Sequence, residues 1–254
     1  MKITTHKLYT QKKGIDIRFC LVADLHSKKY VKVLDAIKSV SPNFVLCAGD
    51  ILERLDGYRD KENINGFEFL SAIAELYPTY YSFGNHELFG GHNDRCKWGS
   101  ANKSITEDNR KKLEMTGVKI LDDEYITVGN IHIGGLSSGL WDKNSNTPNI
   151  DFISQLSRLE GYKMLMSHHP EYFENYLKSE NIDLVLSGHA HGGQWRIFGK
   201  GIYAPQQGFF PKYTSGIHEN RLIVSRGVAN SVNPIPRIFN PCEIVLVEIK
   251  SIVK

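Results

Sequence analysis

Five short apolar runs in this sequence end on residues that bind metals or move protons. Ile15–Asp24 leads into Leu25-His26, and Phe44–Asp50 closes on Gly49-Asp50. Tyr80–Asn85 is followed by His86-Glu87, Met164–His168 by His169-Pro170, and Leu184–His189 by Ala190-His191-Gly192-Gly193. Six of the ten histidines, His26, His86, His168, His169, His189 and His191, fall in these blocks. Ligands of open α/β sheets bind outside the carboxyl ends of the strands, so these ends would deliver Asp, His and Asn to one rim. Asp24 and His26 are two residues apart, as are His189 and His191. Residues so spaced on an extended strand point the same way, so each pair can face one centre. Mixed carboxylate, imidazole and amide donors suit Mn, Fe, Zn or Co better than Ca or Mg alone. The seven donors Asp24, His26, Asp50, Asn85, His168, His189 and His191 exceed the four of a tetrahedral zinc site. They are enough for two ions sharing a carboxylate. Gly49, Gly84, Gly188 and Gly192 beside them permit tight turns and close backbone approach.

The elements that must carry these blocks alternate. Besides the runs above, Ile131–Leu136 reads as a strand. Val33, Leu34, Ile37 and Val40 share one helical face, as do Phe69, Leu70, Ile73 and Leu76. Ser104-Ile105-Thr106-Glu107 is a capping box, with Gly117 as the stop of the helix it opens. Alternation of this kind predicts a layered α/β fold. Beyond Gly199 the helices cease, and Gly201–Ala204, Leu222–Ser225 and Glu243–Ile249 predict an antiparallel or mixed half of the sheet. Without an internal repeat, linker or composition break, residues 1–254 read as a single domain.

The 254 residues are 41% hydrophobic and 23% charged, with a net charge of +3. This is ordinary globular usage. The charge is too mild to point to a nucleic-acid partner. No apolar stretch approaches the roughly 18 residues of a membrane span. Met1 to Lys13 has no apolar h-region, which argues against a secretory leader. The cysteines Cys20, Cys47, Cys96 and Cys242 are widely spaced, which fits a reducing cytoplasm. Cys20 and Cys47 lie in apolar runs and read as small core residues.

Taken together, Asp24-x-His26, Gly49-Asp50, Gly84-Asn85-His86-Glu87, His168 and Gly188-His189-x-His191 resemble, in order and spacing, the five signature blocks of the calcineurin-like metallophosphoesterases. Downstream, the stretch from Tyr203 to Tyr213 is similar to a bacterial branch of membrane- or cell-wall-associated phosphohydrolases. So are Ser225-Arg226-Gly227, Asn230, Arg237, Asn240-Pro241 and Glu243. The resemblance implies an α/β fold, a two-sheet mixed β-sandwich flanked by helices. It implies that Asp24, His26 and His191 hold one divalent ion, that Asn85, His168 and His189 hold a second, and that Asp50 bridges them. Manganese is the first expectation for both ions, with Fe, Zn or Co as alternatives. His86 would stand beside the metals as proton donor. The implied reaction is hydrolysis of a phosphodiester, pyrophosphate or phosphomonoester by a hydroxide held between ions about 3.5–4 Å apart. Its substrate would be a small phosphate ester or a lipid or sugar pyrophosphate. Peripheral membrane contact and the oligomeric state stay open.

Two departures matter. Many members of the closer branch carry an N-terminal membrane anchor, and this sequence is expected to lack one, which argues against a membrane location. The protein phosphatase branch continues its second block as GDxxDRG, whereas this chain reads Gly49-Asp50-Ile51-Leu52-Glu53-Arg54, which counts against a phosphoprotein substrate. A non-catalytic scaffold of the same fold is the alternative function. Scaffolds lose the acid histidine or several ligands, and here all stand.

Several residues carry competing roles. Neighbours on a strand face opposite ways, and the family block places the ligand two before the proline, which selects His168. His169 is then a hydrogen-bonded neighbour or pocket wall. Glu87 either orients a histidine or is a helix-start acid. His132 reads as a satisfied strand histidine, and His6, His92 and His218 as surface. Phe209 and Phe210 are either core or the tip of a loop over the site. Lys212, Arg226 and Arg237 either contact phosphate or are surface cations.

Overall fold

A computed structural model of the chain describes residues 1–53, 63–88, 107–138, 140–142, 145–205, 207–229 and 236–253. From the amino end come β1 (Lys2–Thr10), β2 (Asp16–Val22), α1 (Val31–Val40), β3 (Phe44–Ala48), α2 (Ile64–Ala74), β4 (Thr79–Ser82) and the short α3 (Asn85–Leu88). Next are α4 (Glu107–Glu114), β5 (Lys119–Ile120), β6 (Glu124–Val128), β7 (Ile131–Leu136), β8 (Leu140–Asp142), β9 (Ser145–Thr147) and α5 (Ile150–Ser157). The carboxyl part holds β10 (Tyr162–Ser167), β11 (Leu184–Ser187), β12 (Arg196–Ile197), β13 (Lys200–Gly201), β14 (Tyr203–Ala204), β15 (Gly208–Phe209), β16 (Gly216–His218), β17 (Leu222–Val224) and β18 (Glu243–Ser251).

Two six-stranded mixed sheets result, ordered β1-β18-β2-β3-β4-β5 and β16-β17-β11-β10-β7-β6. Strands β2, β3, β4 and β5 run parallel, as do β17, β11, β10 and β7. The period of two along each strand explains the layers. Phe19 and Leu21 of β2 point into a core shared with Met164, Met166 and Leu186 of the second sheet. Their neighbours Cys20 and Val22 point the other way, onto Val33, Ile37, Phe69 and Ile73 of α1 and α2. On the far side, Leu165 and Val185 meet Phe152 and Leu156 of α5. The molecule is therefore layered helix, sheet, sheet, helix. Its parallel strands are apolar on both faces because both are covered.

Helix α1 buries Val33 and Ile37, four residues apart, and stops where Ser41 takes a left-handed φ of 45° ahead of Pro42. Helix α5 starts at Asn149, whose side chain accepts from the Phe152 amide at 3.1 Å. Gly117, at φ 87°, follows α4 as the expected stop. The capping box residues 104–106 lie outside the described residues, as do Arg54, His92, Cys96, Gln206 and Asn230. No helix among the described residues is long and apolar enough to cross a membrane.

One strand was not foreseen, and three expectations need correction. The polar start of the chain is β1, an edge strand paired parallel with β18. Alternate half-burial at a sheet edge asks for no large hydrophobes. Strand β18 joins the first sheet rather than extending a carboxyl-terminal one. The run from Gly201 to Ala204 divides between two hairpins, β12–β13 and β14–β15. Helix α2 ends at Ala74, so Leu76 is exposed and does not complete its buried face.

Candidate metal centre

The predicted strands run too long at the site. Strands β2, β3, β4, β10 and β11 end at Val22, Ala48, Ser82, Ser167 and Ser187, and the candidate ligands follow on turns. Asp24, His26, Asp50, His189 and His191 have φ of 57°, 50°, 54°, 66° and 46°. A left-handed backbone is costly for residues with a Cβ, and such strain persists where the surroundings over-determine it. The Asp24–His26 and His189–His191 pairs are thus presented by turns, and the extended i, i+2 argument does not apply. Interlocking backbone bonds hold these turns. Asp24 N donates to Gly49 O at 3.1 Å, His26 N to Asp50 O at 2.9 Å, and Gly188 N to His168 O at 3.2 Å.

Two triads form. The donor atoms of Asp24, His26 and His191 lie within 4.8 Å of one another, as do those of Asp50, His168 and His189. Asp50 Oδ2 stands between them, 3.0 Å from His168 Nε2 and 3.9 Å from His26 Nε2. His191 therefore faces Asp24 and His26, and His189 faces Asp50 and His168. Asn85 opens α3 on the same rim, and the next amide, His86 N, donates to Asp50 Oδ1 at 2.9 Å.

The donors suit cations. Asp24 Oδ2 and Asn85 Oδ1 are buried without a hydrogen-bond partner. Each orphan of this kind costs about 1–3 kcal/mol. His26 Nε2 and His191 Nε2 face each other at 3.3 Å. Their lone pairs would repel unless a proton or a cation lay between them. His168 Nδ1 lies 2.8 Å from Ala48 O, which fixes the ring proton there and leaves Nε2 toward Asp50. In the metal-free chain burial lowers the His168 pKa, but the Asp50 charge outweighs it and raises the value to about 10. A cation held against Asp50 would take the place of that proton. Burial pushes His189 down to about 3 and His191 well below the usual range, so both rings stay neutral. Neutral imidazole is the ligating form.

The glycines of the blocks are packed against the ligands. A Cβ on Gly84 would lie 2.2 Å from Asp50 Oδ1, and one on Gly49 2.5 Å from His168 Nδ1. Gly227, outside the blocks, would place its Cβ 2.7 Å from that of Asp24. Gly84→Ala is therefore expected to displace the Asp50 carboxylate and weaken metal binding by about tenfold or more. Calorimetric metal titration, with circular dichroism to verify folding, reads this. Unaltered affinity would mean that Asp50 is not held by the glycine.

Of the two readings of Glu87, the helix-start acid holds, since it lies in the first turn of α3. Glu87 orients no histidine. Its oxygens accept from the amides of Asp50, Leu52 and Gly84 at 3.0, 2.9 and 2.7 Å and from the Tyr81 hydroxyl at 2.5 Å, tying two ligand loops together. Glu53 binds the histidines instead. Oε1 lies 3.1 Å from His26 Nδ1 and Oε2 2.9 Å from His86 Nδ1. Burial raises the Glu53 pKa, but the two imidazole hydrogen bonds win and hold it down at about 2. At His86 burial lowers the pKa, while the charge of Asp50 and the bond to Glu53 raise it to about 9.

His169 is buried beside the second triad. Its Nε2 is 2.6 Å from Ser138 Oγ, its Nδ1 3.2 Å from Glu171 Oε1, and its ring 4.5 Å from that of His189. Arg237 is no surface cation: Nη2 lies 3.2 Å from His191 Nδ1 and Nη1 donates to Arg226 O at 2.6 Å. Arg226 Nε lies 3.7 Å from buried Glu243. Lys212 is exposed and pairs with Glu174 at 2.7 Å. Phe209 and Phe210 are exposed, not core. His132 is satisfied in its strand by Thr127 Oγ1 at 2.8 Å, whereas His6 and His218 are half-buried rather than on the surface. Glu53, Glu171 and Gly227 escaped the sequence reading as site residues. An acid three residues after Asp50 and another two after His169 were the available signals.

Residues 17–193 match a family model described as calcineurin-like phosphoesterase. Metallophosphoesterase Cj0846 of Campylobacter jejuni is 30% identical over 92% of this chain and 59% of its own length. Phosphodiesterase YaeI of Escherichia coli is 26% identical over 90% of this chain and 82% of its own. The solved structure of YfcE, a phosphoesterase from E. coli, covers 86% of this chain and 85% of that one, at a TM-score of 0.38 and 11% identity. The chain spans 59%, 49% and 48% of the length of the first curated relatives it matches.

Proposed function

The chain belongs to the calcineurin-like phosphoesterase family, and from that premise we propose that it hydrolyses phosphate esters at a centre of two divalent metal ions. The observation that carries this reading is the pair of buried triads with the Asp50 carboxylate between them, 3.0 Å from a histidine of one and 3.9 Å from a histidine of the other. Asp24, His26 and His191 would hold one ion, Asn85, His168 and His189 the other, and Asp50 both. Manganese suits this mixed set of oxygen and imidazole donors, with Fe, Zn or Co as alternatives. When bound, the ions supply Lewis acidity toward the phosphoryl oxygens and acidify water. Residues 1–254 are taken as one domain, because the first and last strands are neighbours in one sheet.

The chain's own residues do the rest. Asp50 lowers the repulsion between two like charges. Glu53 fixes the Nδ1 side of His86, which leaves Nε2 to carry the proton that a departing alkoxide needs. A positioned acid of this kind contributes about 10²–10⁴-fold. Arg237, half-buried beside His191, is placed to meet a phosphoryl oxygen. Phosphodiesters come first as substrates, since the E. coli relative YaeI is named a phosphodiesterase.

Metal content together with hydrolysis of bis-p-nitrophenyl phosphate and p-nitrophenyl phosphate tests the proposal. Two ions per chain and faster turnover of the diester are expected. A chain that takes up metal and hydrolyses neither ester would be a scaffold. Glu53→Gln offers a second check. Only one of its side-chain atoms can accept, so His26 and His86 cannot both be held. Metal affinity is expected to fall about 10–100-fold, as for other residues that orient ligands. Retained affinity in a metal titration would limit Glu53 to a structural role.

A further inference from the structure

Strand β1 leaves one long side of the molecule open. It ends the first sheet, and among the described residues no strand pairs with its outer side. The other edges of the two six-stranded sheets, β5, β16 and β6, are two, three and five residues long, whereas β1 has nine. Edges are ordinarily blunted by short strands, proline or bulges. From Lys2 to Thr10 there is no proline or glycine, and the register with β18 is unbroken. Lys2 N donates to Cys242 O and Ile252 N to Thr10 O, both at 2.9 Å, which sets the phase of the parallel ladder. The even-numbered residues therefore bond to β18, and the amides and carbonyls of Ile3, Thr5, Lys7 and Tyr9 point away from the sheet. These four side chains are exposed, and Lys7, the one charge among them, lies 3.7 Å from Glu248 of its own chain.

This edge is its own complement. When it pairs antiparallel with a second copy, outward-bonding residues must face outward-bonding residues. With the two-fold axis at His6, all four find such a mate. Ile3 meets the partner's Tyr9 and Thr5 the partner's Lys7, and the reverse pairs follow by symmetry. A β-branched residue then faces an aromatic one, a favourable cross-strand pair, and no charge stands opposite a like charge. An axis at Lys7 would set two lysines face to face, and an axis at Thr5 would leave Tyr9 without a mate in β1. His6 itself stands on the axis, where the side chains of a non-hydrogen-bonded pair come closest. Its Nε2 is buried without a hydrogen-bond partner, and the partner's His6 offers one. A strand of another protein would satisfy the backbone, but nothing in β1 selects its side chains. We propose that this chain forms a two-fold dimer in which β1 pairs antiparallel with β1 of a second copy, joining the two first sheets into one. Two-fold interfaces use the same patch on both subunits, as this register does.

Sedimentation velocity of the full chain over a range of concentrations tests this, and a dimer is expected. Ile3→Lys with Tyr9→Lys sets lysine against lysine on both sides of the axis. It should raise the dimer dissociation constant by about tenfold or more. Thr5→Pro removes an amide that β18 does not use and should weaken the dimer similarly. Circular dichroism and metal content verify that both variants fold as the parent chain does. His6→Cys reads the register. The Cα atoms of such a non-hydrogen-bonded pair lie about 4.5 Å apart, within reach of a disulfide. Mild oxidation should therefore give a cross-linked dimer that neither the parent chain nor Lys2→Cys gives. A monomeric parent chain would overturn the proposal and leave the edge to a strand of another protein. A dimer undiminished in both edge variants, or a His6→Cys dimer that does not cross-link, would overturn the β1 pairing. None of these readouts depends on hydrolysis, so dimerisation and catalysis fail or stand separately.

Discussion

Asp50→Ala is expected to strip the centre of both metal ions, whereas Asn85→Ala should remove chiefly one. In the proposed arrangement the Asp50 carboxylate serves both ions and separates two like charges. Asn85 offers one neutral oxygen to one ion. Metal affinity of Asp50→Ala should fall by more than about 100-fold, beyond what loss of an orienting residue costs. The substitution also removes the acceptor of the His86 amide, 2.9 Å from Asp50 Oδ1. Asp50→Asn keeps an acceptor there and removes only the charge, so it should lose metal nearly as completely. Elemental analysis after equilibrium dialysis, with circular dichroism to verify folding, reads all three variants. Equal losses from Asp50→Ala and Asn85→Ala would deny Asp50 the bridging position.

His86→Ala should leave metal content near normal while turnover of an ester with a poor leaving group falls by roughly 10²-fold or more. With p-nitrophenol as leaving group the loss should shrink, because that phenolate departs without a proton. His26 keeps its own bond to Glu53 in this variant, so the first triad stays oriented. The pH profile gives a further check. Burial lowers the His86 pKa, but Asp50 and Glu53 raise it to about 9 in the metal-free chain. A raised value means that the imidazolium is present below it and is lost as pH rises through it. Bound dications oppose that rise and bring the limb lower. Turnover of the alkyl ester should therefore fall on an alkaline limb at or below about pH 9 that the nitrophenyl ester and the His86→Ala variant lack. Loss of metal with activity would make His86 a ligand. Equal loss on both esters with metal retained would remove the proton-donor role.

By itself the sequence determined the strands β2, β3, β4, β7, β10, β11, β17 and β18 of the two sheets, the pairing of short apolar runs with Asp, His and Asn at their ends, and a donor set suited to divalent ions. These properties are local. Burial on both faces makes strands such as β3 and β10 apolar throughout, and a turn beside a ligand calls for Gly49, Gly84 or Gly188 a residue or so away. The amphipathic spacing of Val33 and Ile37 places α1 for the same reason.

Tertiary structure alone decided which carboxylate does what. Glu53 and Glu87 are equivalent as acids near a block. Only the fold sets Glu53 against His86, 33 positions away, and turns Glu87 onto the amides of Asp50 and Leu52. It also decided how the ligands divide. His26 meets His191 across 165 residues, and no spacing rule spans that separation. Strands β2, β3 and β11 stop before Asp24, His26, Asp50, His189 and His191 because a left-handed turn swings these donors out of the sheet and over the rim. That conformation is set by contacts with the neighbouring loops, not by the residue itself. Strand β1 and the exposure of Phe198 and Phe239 were illegible for a related reason. An edge strand needs only a neighbour, β18, that lies at the opposite end of the chain. An aromatic residue reads as core until the packing around it shows that nothing covers it.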